Sequence, residues 1–76
     1  MSEVKLSTAE AIRFLRQRRK VSARALSMAA GFSPSYISKV ESHELQMTLK
    51  AFARVARELQ MTQREILYIV LTEGLE

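Results

Sequence analysis

Glycine and proline, the strongest helix breakers, are nearly absent from this 76-residue chain. Gly31, Pro34 and Gly74 are the complete set, and the first two stand three residues apart near the middle of the sequence. Elsewhere apolar residues recur at helical spacing, and neither alternating β-branched runs nor Asn-Gly hairpin dipeptides occur. The sequence therefore predicts an all-α protein with one tight turn between two short helices.

Serine and threonine residues at capping positions divide the chain into helices. Ser7 with Glu10, and Thr62 with Glu65, have the spacing of capping boxes. Ser33 followed by Pro34 has the pattern of an N-cap and a first helical residue. We expect one domain with a flexible arm over residues 1–6 and five helices over residues 8–19, 23–30, 34–41, 49–60 and 62–74.

Charge is distributed unevenly along the chain. Residues 1–40 carry eight Lys or Arg and two Glu, a net charge of +6, whereas residues 41–76 carry a net charge of −2. The overall charge of +4 and pI near 10 make nucleic acid a candidate partner. A basic helix that is simply solvated would have the same composition, so charge alone leaves both interpretations open.

Several classes of function lack any support in the sequence. Cysteine is absent and His43 is the only histidine, so we expect no disulfide framework, metal site or cofactor. No nucleophile elbow or phosphate loop is present, and we expect no catalytic residues. The longest apolar run, residues 66–71, is too short to cross a membrane, and no signal peptide is evident. We expect a cytoplasmic, nucleoid-associated protein without a small-molecule ligand.

The segment SARALSMAAGFSPSYISKVE, residues 22–41, has the pattern of a helix-turn-helix. Small residues in its first helix allow a second helix to cross closely, and Gly31 allows a left-handed turn. Ile37 and Val40 would anchor the second helix, whereas its polar side would remain exposed. A major groove about 12 Å wide admits such a helix.

This segment resembles the phage repressor and Cro-like helix-turn-helix family, also called the xenobiotic-response-element type. The resemblance extends to IRFLRQRRKVSARAL before the motif and to MTLKAFARVARELQM after it. It implies a compact five-helix, lambda-repressor-like DNA-binding domain, with the helix-turn-helix formed by helices 2 and 3. It also implies a transcriptional regulator of double-stranded DNA, with a repressor at a near-palindromic operator as the favoured form.

The resemblance also implies roles for individual residues. Arg16 and Glu41 match a buried ion pair that joins helices 1 and 3. The residues implied to contact base edges are Pro34, Ser35, Tyr36, Ser38 and Lys39. The residues implied to contact the DNA backbone are Arg18, Arg19, Lys20, Ser22, Ala23, Arg24, Ser42 and His43.

Some positions depart from the family pattern. Ala23 stands where a phosphate-bracing Gln is usual, and Ser27 replaces a small Ala. Lys20 and His43 each replace a Gly. The recognition face has no Arg, Asn or Gln for a bidentate base contact, so backbone charge and DNA shape would carry much of the affinity.

The last predicted helix is apolar on nearly every side between residues 66 and 71. An exposed apolar face predicts an interface, so we expect a homodimer. The candidate interface residues are Tyr68, Ile69, Leu71, Thr72 and Leu75. Two alternatives remain: the helix simply completes the core, or the protein is an antitoxin-like or coactivator-like module whose last helix binds a protein partner.

Overall fold

The computed structural model describes residues 7–73 and the side chains of residues 7–71. This range contains five α-helices and no strand, which confirms the predicted all-α, five-helix fold. The arm predicted over residues 1–6 and the interface residue Leu75 lie outside the described range, as does the side chain of Thr72. The helices are α1 Thr8–Arg18, α2 Ala23–Ala29, α3 Tyr36–Glu41, α4 Leu49–Glu58 and α5 Gln63–Glu73.

Side-chain oxygens accept hydrogen bonds from the first-turn amides of four helices. At α1, the Glu10 amide donates to Ser7 Oγ at 3.2 Å while Glu10 Oε1 accepts from the Ser7 amide at 3.3 Å. Thr62 and Glu65 form the same reciprocal pair before α5. Ser22 and Thr48 cap α2 and α4. These starts were predictable because a cap is a local interaction.

The predicted start of α3 is wrong by two residues. Pro34 and Ser35 form a turn in which the Tyr36 amide donates to the Ser33 carbonyl at 3.0 Å, and regular helix begins at Tyr36. The physical reason is that the Ile37 amide donates to Ser27 Oγ of α2, at 2.9 Å, and not to a cap in its own segment. Ser33 is therefore not the N-cap.

The first four helices end alike, in a left-handed residue followed by an amide that reaches back five residues. Gly31 has a φ of +84°, whereas Lys20, His43 and Gln60 adopt φ values of 55°, 65° and 54° without being glycine. The paired hydrogen bonds at each end are those of a Schellman motif. Each non-glycine residue there carries a strain of about 1–2 kcal/mol.

The core lies between α1, α2, α3, α4 and the middle of α5. Its fully buried side chains come from every helix except the last, and Ile69 of α5 joins them at 3% exposure. Ile66 and Val70 pack partly against this core. The largest fully buried side chains are Phe52, Ile12, Leu26, Ile37, Leu59 and Val55.

Burial of Ile69 corrects one predicted interface residue. Ile69 packs in the core and is not part of the exposed side of α5. The exposed apolar side consists of Leu67, Tyr68 and Leu71, which are 58%, 43% and 73% exposed. They share one face, because residues three and four apart are neighbours on a helix. Leu67, which the sequence-based set omitted, takes the place of Ile69.

Candidate nucleic-acid interface

α2 and α3 form a closely packed pair around the turn at Gly31. Leu26 of α2 faces Ile37 and Val40 of α3, and all three side chains are buried. Ala30 is buried at the end of α2, where a larger side chain would separate the helices. The left-handed φ of Gly31 reverses the chain between them. This is the geometry of a helix-turn-helix.

The side of α3 opposite this contact is exposed. Ser38 and Lys39 project from the helix, and Pro34 and Ser35 project from the turn before it. These four residues supply two hydroxyl groups, one ammonium group and the apolar ring of Pro34, and none of them is acidic. This surface could therefore approach a polyanion, and its hydroxyls and ammonium group could donate hydrogen bonds.

Tyr36 does not project freely with these residues, contrary to the sequence-based expectation. Its ring stacks on Phe32, with centroids 4.1 Å apart and planes at 15°. Burial raises the pKa of the Tyr36 phenol, and the nearby Arg54 guanidinium partly offsets that rise. Tyr36 therefore fixes the start of α3 with its ring, and only part of its side chain faces solvent.

Arg54 of α4 completes this stack on the other side. Its guanidinium lies 4.4 Å from the centroid of the Phe32 ring and donates to the Gly31 carbonyl at 3.3 Å. The space next to Gly31, where a side chain would begin, is filled by the same guanidinium. Sequence reasoning missed Arg54, because nothing local links it to a turn more than twenty residues away.

An ion pair fixes the other end of α3. Arg16 Nε and Nη2 donate to the two carboxylate oxygens of Glu41 at 2.8 and 2.9 Å, and Nη1 donates to the Val21 carbonyl at 3.0 Å. The two side chains are 15% and 11% exposed. The Glu41 hydrogen bonds raise the pKa of Arg16 above its ordinary value, against the effect of burial. Arg16 therefore has a structural role.

Two groups of predicted backbone-contact residues flank the exposed side of α3. At the start of α2, Ser22 and Arg24 are exposed, whereas Ala23 is half-buried and offers only its backbone. After α3, Ser42 Oγ lies 2.8 Å from a carboxylate oxygen of Glu44. That acidic neighbour makes Ser42 a poor phosphate ligand. His43 and Lys20 are exposed at two of the left-handed positions.

Arg18 and Arg19 each make a contact outside the helix-turn-helix. The Arg18 guanidinium is 5.7 Å from the centroid of the Phe14 ring, on the side of α1 that faces α5. Arg19 Nη2 donates to the Gln60 carbonyl at 3.4 Å, at the end of α4. Neither of these two contacts involves α2 or α3.

Other kinds of site find little support in residues 7–73. No three His, Asp or Glu side chains in this range are arranged to hold a metal ion. No helix in the same range combines the length and the apolar character that crossing a membrane requires.

Comparison with known proteins identifies the class. A family model described as a helix-turn-helix domain matches residues 7–68, which is most of the chain. No curated protein and no solved structure matches the chain significantly. The match covers α1 to α4 and half of α5, and it includes the packed pair of helices and the left-handed turn at Gly31. The chain therefore belongs to the helix-turn-helix domain family of DNA-binding proteins.

Proposed function

We propose that this protein is a sequence-specific transcriptional regulator of the phage repressor and Cro-like type, acting as a repressor. It binds a near-palindromic operator in double-stranded DNA as a homodimer. Each protomer inserts the exposed side of α3 and the preceding turn into a major groove. The observation that carries this proposal is that Ile37 and Val40 are buried while Ser35, Ser38 and Lys39 are exposed on one surface.

The base-contact role falls to Pro34, Ser35, Ser38 and Lys39, with Tyr36 reduced to its exposed edge. Serine hydroxyls accept or donate to several bases, so their discrimination is weaker than that of a bidentate Arg or Asn. Contacts to the DNA backbone must therefore supply much of the affinity. Arg24 and Lys20 are the strongest candidates for that role, because both are basic and exposed beside the α2–α3 pair.

The first experiment is selection of bound sequences from a random duplex pool, followed by fluorescence anisotropy on the selected duplex and a shuffled duplex. We expect the wild-type protein to prefer the selected duplex, with an affinity that falls steeply as salt rises. Ser35→Ala and Lys39→Ala should reduce that preference. Selection that yields no consensus, or affinity that does not change with salt, would contradict the proposal.

A pair of arginine variants separates phosphate binding from general charge. Arg24→Ala and Arg18→Ala each remove one positive charge, but only Arg24 belongs to the helix-turn-helix, as the second residue of α2. Arg24→Ala should weaken binding to the selected and the shuffled duplex equally. It should also reduce the slope of log affinity against log salt concentration by about 1. Arg18→Ala should change both quantities much less. Equal effects of the two variants would show that net charge, and not the docking geometry, governs binding.

The homodimer is proposed from the exposed apolar side of α5. Tyr68 lines a groove of about 310 Å³ between α1 and α5 together with Phe14, and Leu67 and Leu71 are exposed on the same helix. Adjacent exposed apolar side chains of this kind mark association surfaces. A twofold dimer would place two α3 helices about 34 Å apart, one helical turn of DNA. Sedimentation showing only monomer at micromolar concentration would contradict this part.

A protein partner is the second candidate for the same surface. The observation that favours it is the same exposed apolar face, since an antitoxin-like or coactivator-like module would cover it with a different chain. The two candidates differ in a simple measurement. A purified protein that sediments as a dimer and binds one operator per dimer fits the first, whereas a monomer without duplex preference fits the second.

A further inference from the structure

Ser27 is a fully buried polar residue in the middle of α2, at 0% exposure. Its hydroxyl donates to the Ala23 carbonyl of its own helix at 2.7 Å. The same oxygen accepts the Ile37 amide of α3 at 2.9 Å. One buried side chain is therefore hydrogen-bonded to the backbones of both helices of the helix-turn-helix.

The Ile37 amide needs this partner because it lies in the first turn of α3. First-turn amides have no acceptor within their own helix, and a side chain of the N-cap residue normally supplies one. Ser35, the N-cap of α3, makes no such hydrogen bond, and the Tyr36 amide is already bound to the Ser33 carbonyl. Ser27 therefore caps α3 from a neighbouring helix, by accepting a first-turn amide that a local N-cap side chain would normally accept.

We propose that Ser27 is a positioning residue that determines how well this protein discriminates between DNA sequences. It acts through the Ile37 backbone, because Ile37 is followed directly by the exposed Ser38 and lies two residues after the exposed Ser35. A buried hydrogen bond of defined length holds the first turn of α3 at one height and one rotation on α2. Hydrogen bonds to base edges need the donor and the acceptor placed within a few tenths of an ångström. The fixed position of α3 therefore determines which bases its side chains can bind.

This inference rests on the proposed function, because it concerns the preference of α3 for one duplex over another. It does not follow from packing alone. An alanine at position 27 would fill nearly the same volume, but it would leave both the Ile37 amide and the turn before α3 without their link to α2. The prediction is therefore a loss of discrimination in a protein that still folds and still binds DNA.

The test compares Ser27→Ala with Thr62→Ala, a matched control. Each removes one hydroxyl that accepts a first-turn amide, but Thr62 caps α5 and not α3. Affinities for the selected and the shuffled duplex are measured by fluorescence anisotropy at one salt concentration. Ser27→Ala should lower the ratio of the two affinities roughly tenfold, which corresponds to the loss of one hydrogen bond. The affinity for the shuffled duplex should change less than about twofold. Thr62→Ala should leave the ratio unchanged.

Hydrogen exchange supplies a readout that does not depend on DNA. In the wild-type protein and in Thr62→Ala the Ile37 amide should be protected, and in Ser27→Ala its exchange should rise toward that of an open amide. If Ser27→Ala is unfolded at 25 °C, Ser27→Cys replaces it, because sulfur keeps a similar shape but is a weak acceptor.

Two results would overturn the inference. One is a folded Ser27→Ala protein whose ratio stays within about twofold of wild type, since discrimination would then not need the bond. The other is an unprotected Ile37 amide in the wild-type protein. A wild-type protein that prefers no duplex contradicts the proposed function itself, and it is recognised before any variant is made.

Discussion

The helix-turn-helix and α5 are attached to the rest of the protein by different kinds of contact. α3 is held at its two ends by polar groups from other helices, Ser27 at its start and Arg16 at its end, and Arg54 contacts the turn before it. α5 is held by its buried Ile69 and the partly buried residues beside it, while Leu71 on the opposite side is exposed. Polar contacts specify an orientation, whereas apolar contacts specify mainly an area.

This difference corresponds to the two activities that we propose. Reading a base sequence requires a helix in one orientation, and hydrogen bonds of fixed geometry supply it. Association of two protomers requires exposed apolar surface, and α5 provides such a surface. The predictions that follow change one kind of contact at a time.

Removal of Arg16 should have the largest effect. Arg16→Ala leaves the Glu41 carboxylate largely buried without its partner, which should lower the free energy of unfolding by about 3–5 kcal/mol. Urea unfolding followed by circular dichroism measures the change. The double variant Arg16→Met with Glu41→Leu is the control, because it removes both charges and should recover most of the loss. A double variant as unstable as Arg16→Ala would show that the pair itself, and not a stranded charge, provides the stability.

A pair of α5 variants separates core from surface. Ile69→Ala should lower the free energy of unfolding by about 2–4 kcal/mol, because Ile69 is buried. Leu71→Ala should change monomer stability by less than about 0.5 kcal/mol but weaken the proposed dimer at least tenfold, by roughly the free energy of burying a leucine. Urea unfolding at low protein concentration and sedimentation velocity distinguish the two. A Leu71→Ala protein that dimerises like wild type would place the dimer interface elsewhere.

These pairs also show why some of the structure was predictable from the sequence and some was not. The starts of α1, α2, α4 and α5 were predictable, because each cap lies within three residues of the amide that it serves. The same reasoning failed at α3, where the acceptor of the Ile37 amide comes from another helix.

The orientation of α5 was unpredictable for a related reason. A helix that is apolar on most sides does not indicate which side faces the core, so Ile69 and Leu67 exchanged places between prediction and structure. Ser27 did carry a sequence indication, since a serine stands where the resembling family has a small alanine. Arg54 carried none, because its contact with Phe32 and Gly31 depends on the packing of α4 against α2.

Arg54 should have a smaller effect than either buried contact. Arg54→Ala removes an exposed cation–π contact and one long hydrogen bond, so we expect a loss of about 0.5–1 kcal/mol in stability. Near-ultraviolet circular dichroism should change as well, because the stacked rings of Phe32 and Tyr36 lose their contact with the Arg54 guanidinium. Arg54→Lys keeps the charge but not the planar group and should behave like Arg54→Ala. Full recovery in Arg54→Lys would mean that charge alone matters there.

Acid should weaken the contact at the start of α1. Hydrogen bonds from the side chain and the backbone of Ser7 lower the pKa of Glu10 below its ordinary value of 4.5. The folded protein therefore binds fewer protons at Glu10 than the unfolded chain does, so this stability is present above pH of about 4.5 and is lost as pH falls through the folded-state pKa.

Glu10→Gln keeps a group that can close the capping box but does not titrate. Between pH of about 5 and 3, the wild-type protein should lose more stability than Glu10→Gln, as measured by urea unfolding at each pH. Ile69→Ala adds and removes no titratable group, so combining it with Glu10→Gln should shift the stability curve of Glu10→Gln without changing its dependence on pH. If the free energy of unfolding depended on pH equally in wild type and Glu10→Gln, the charge of Glu10 would not stabilise the start of α1.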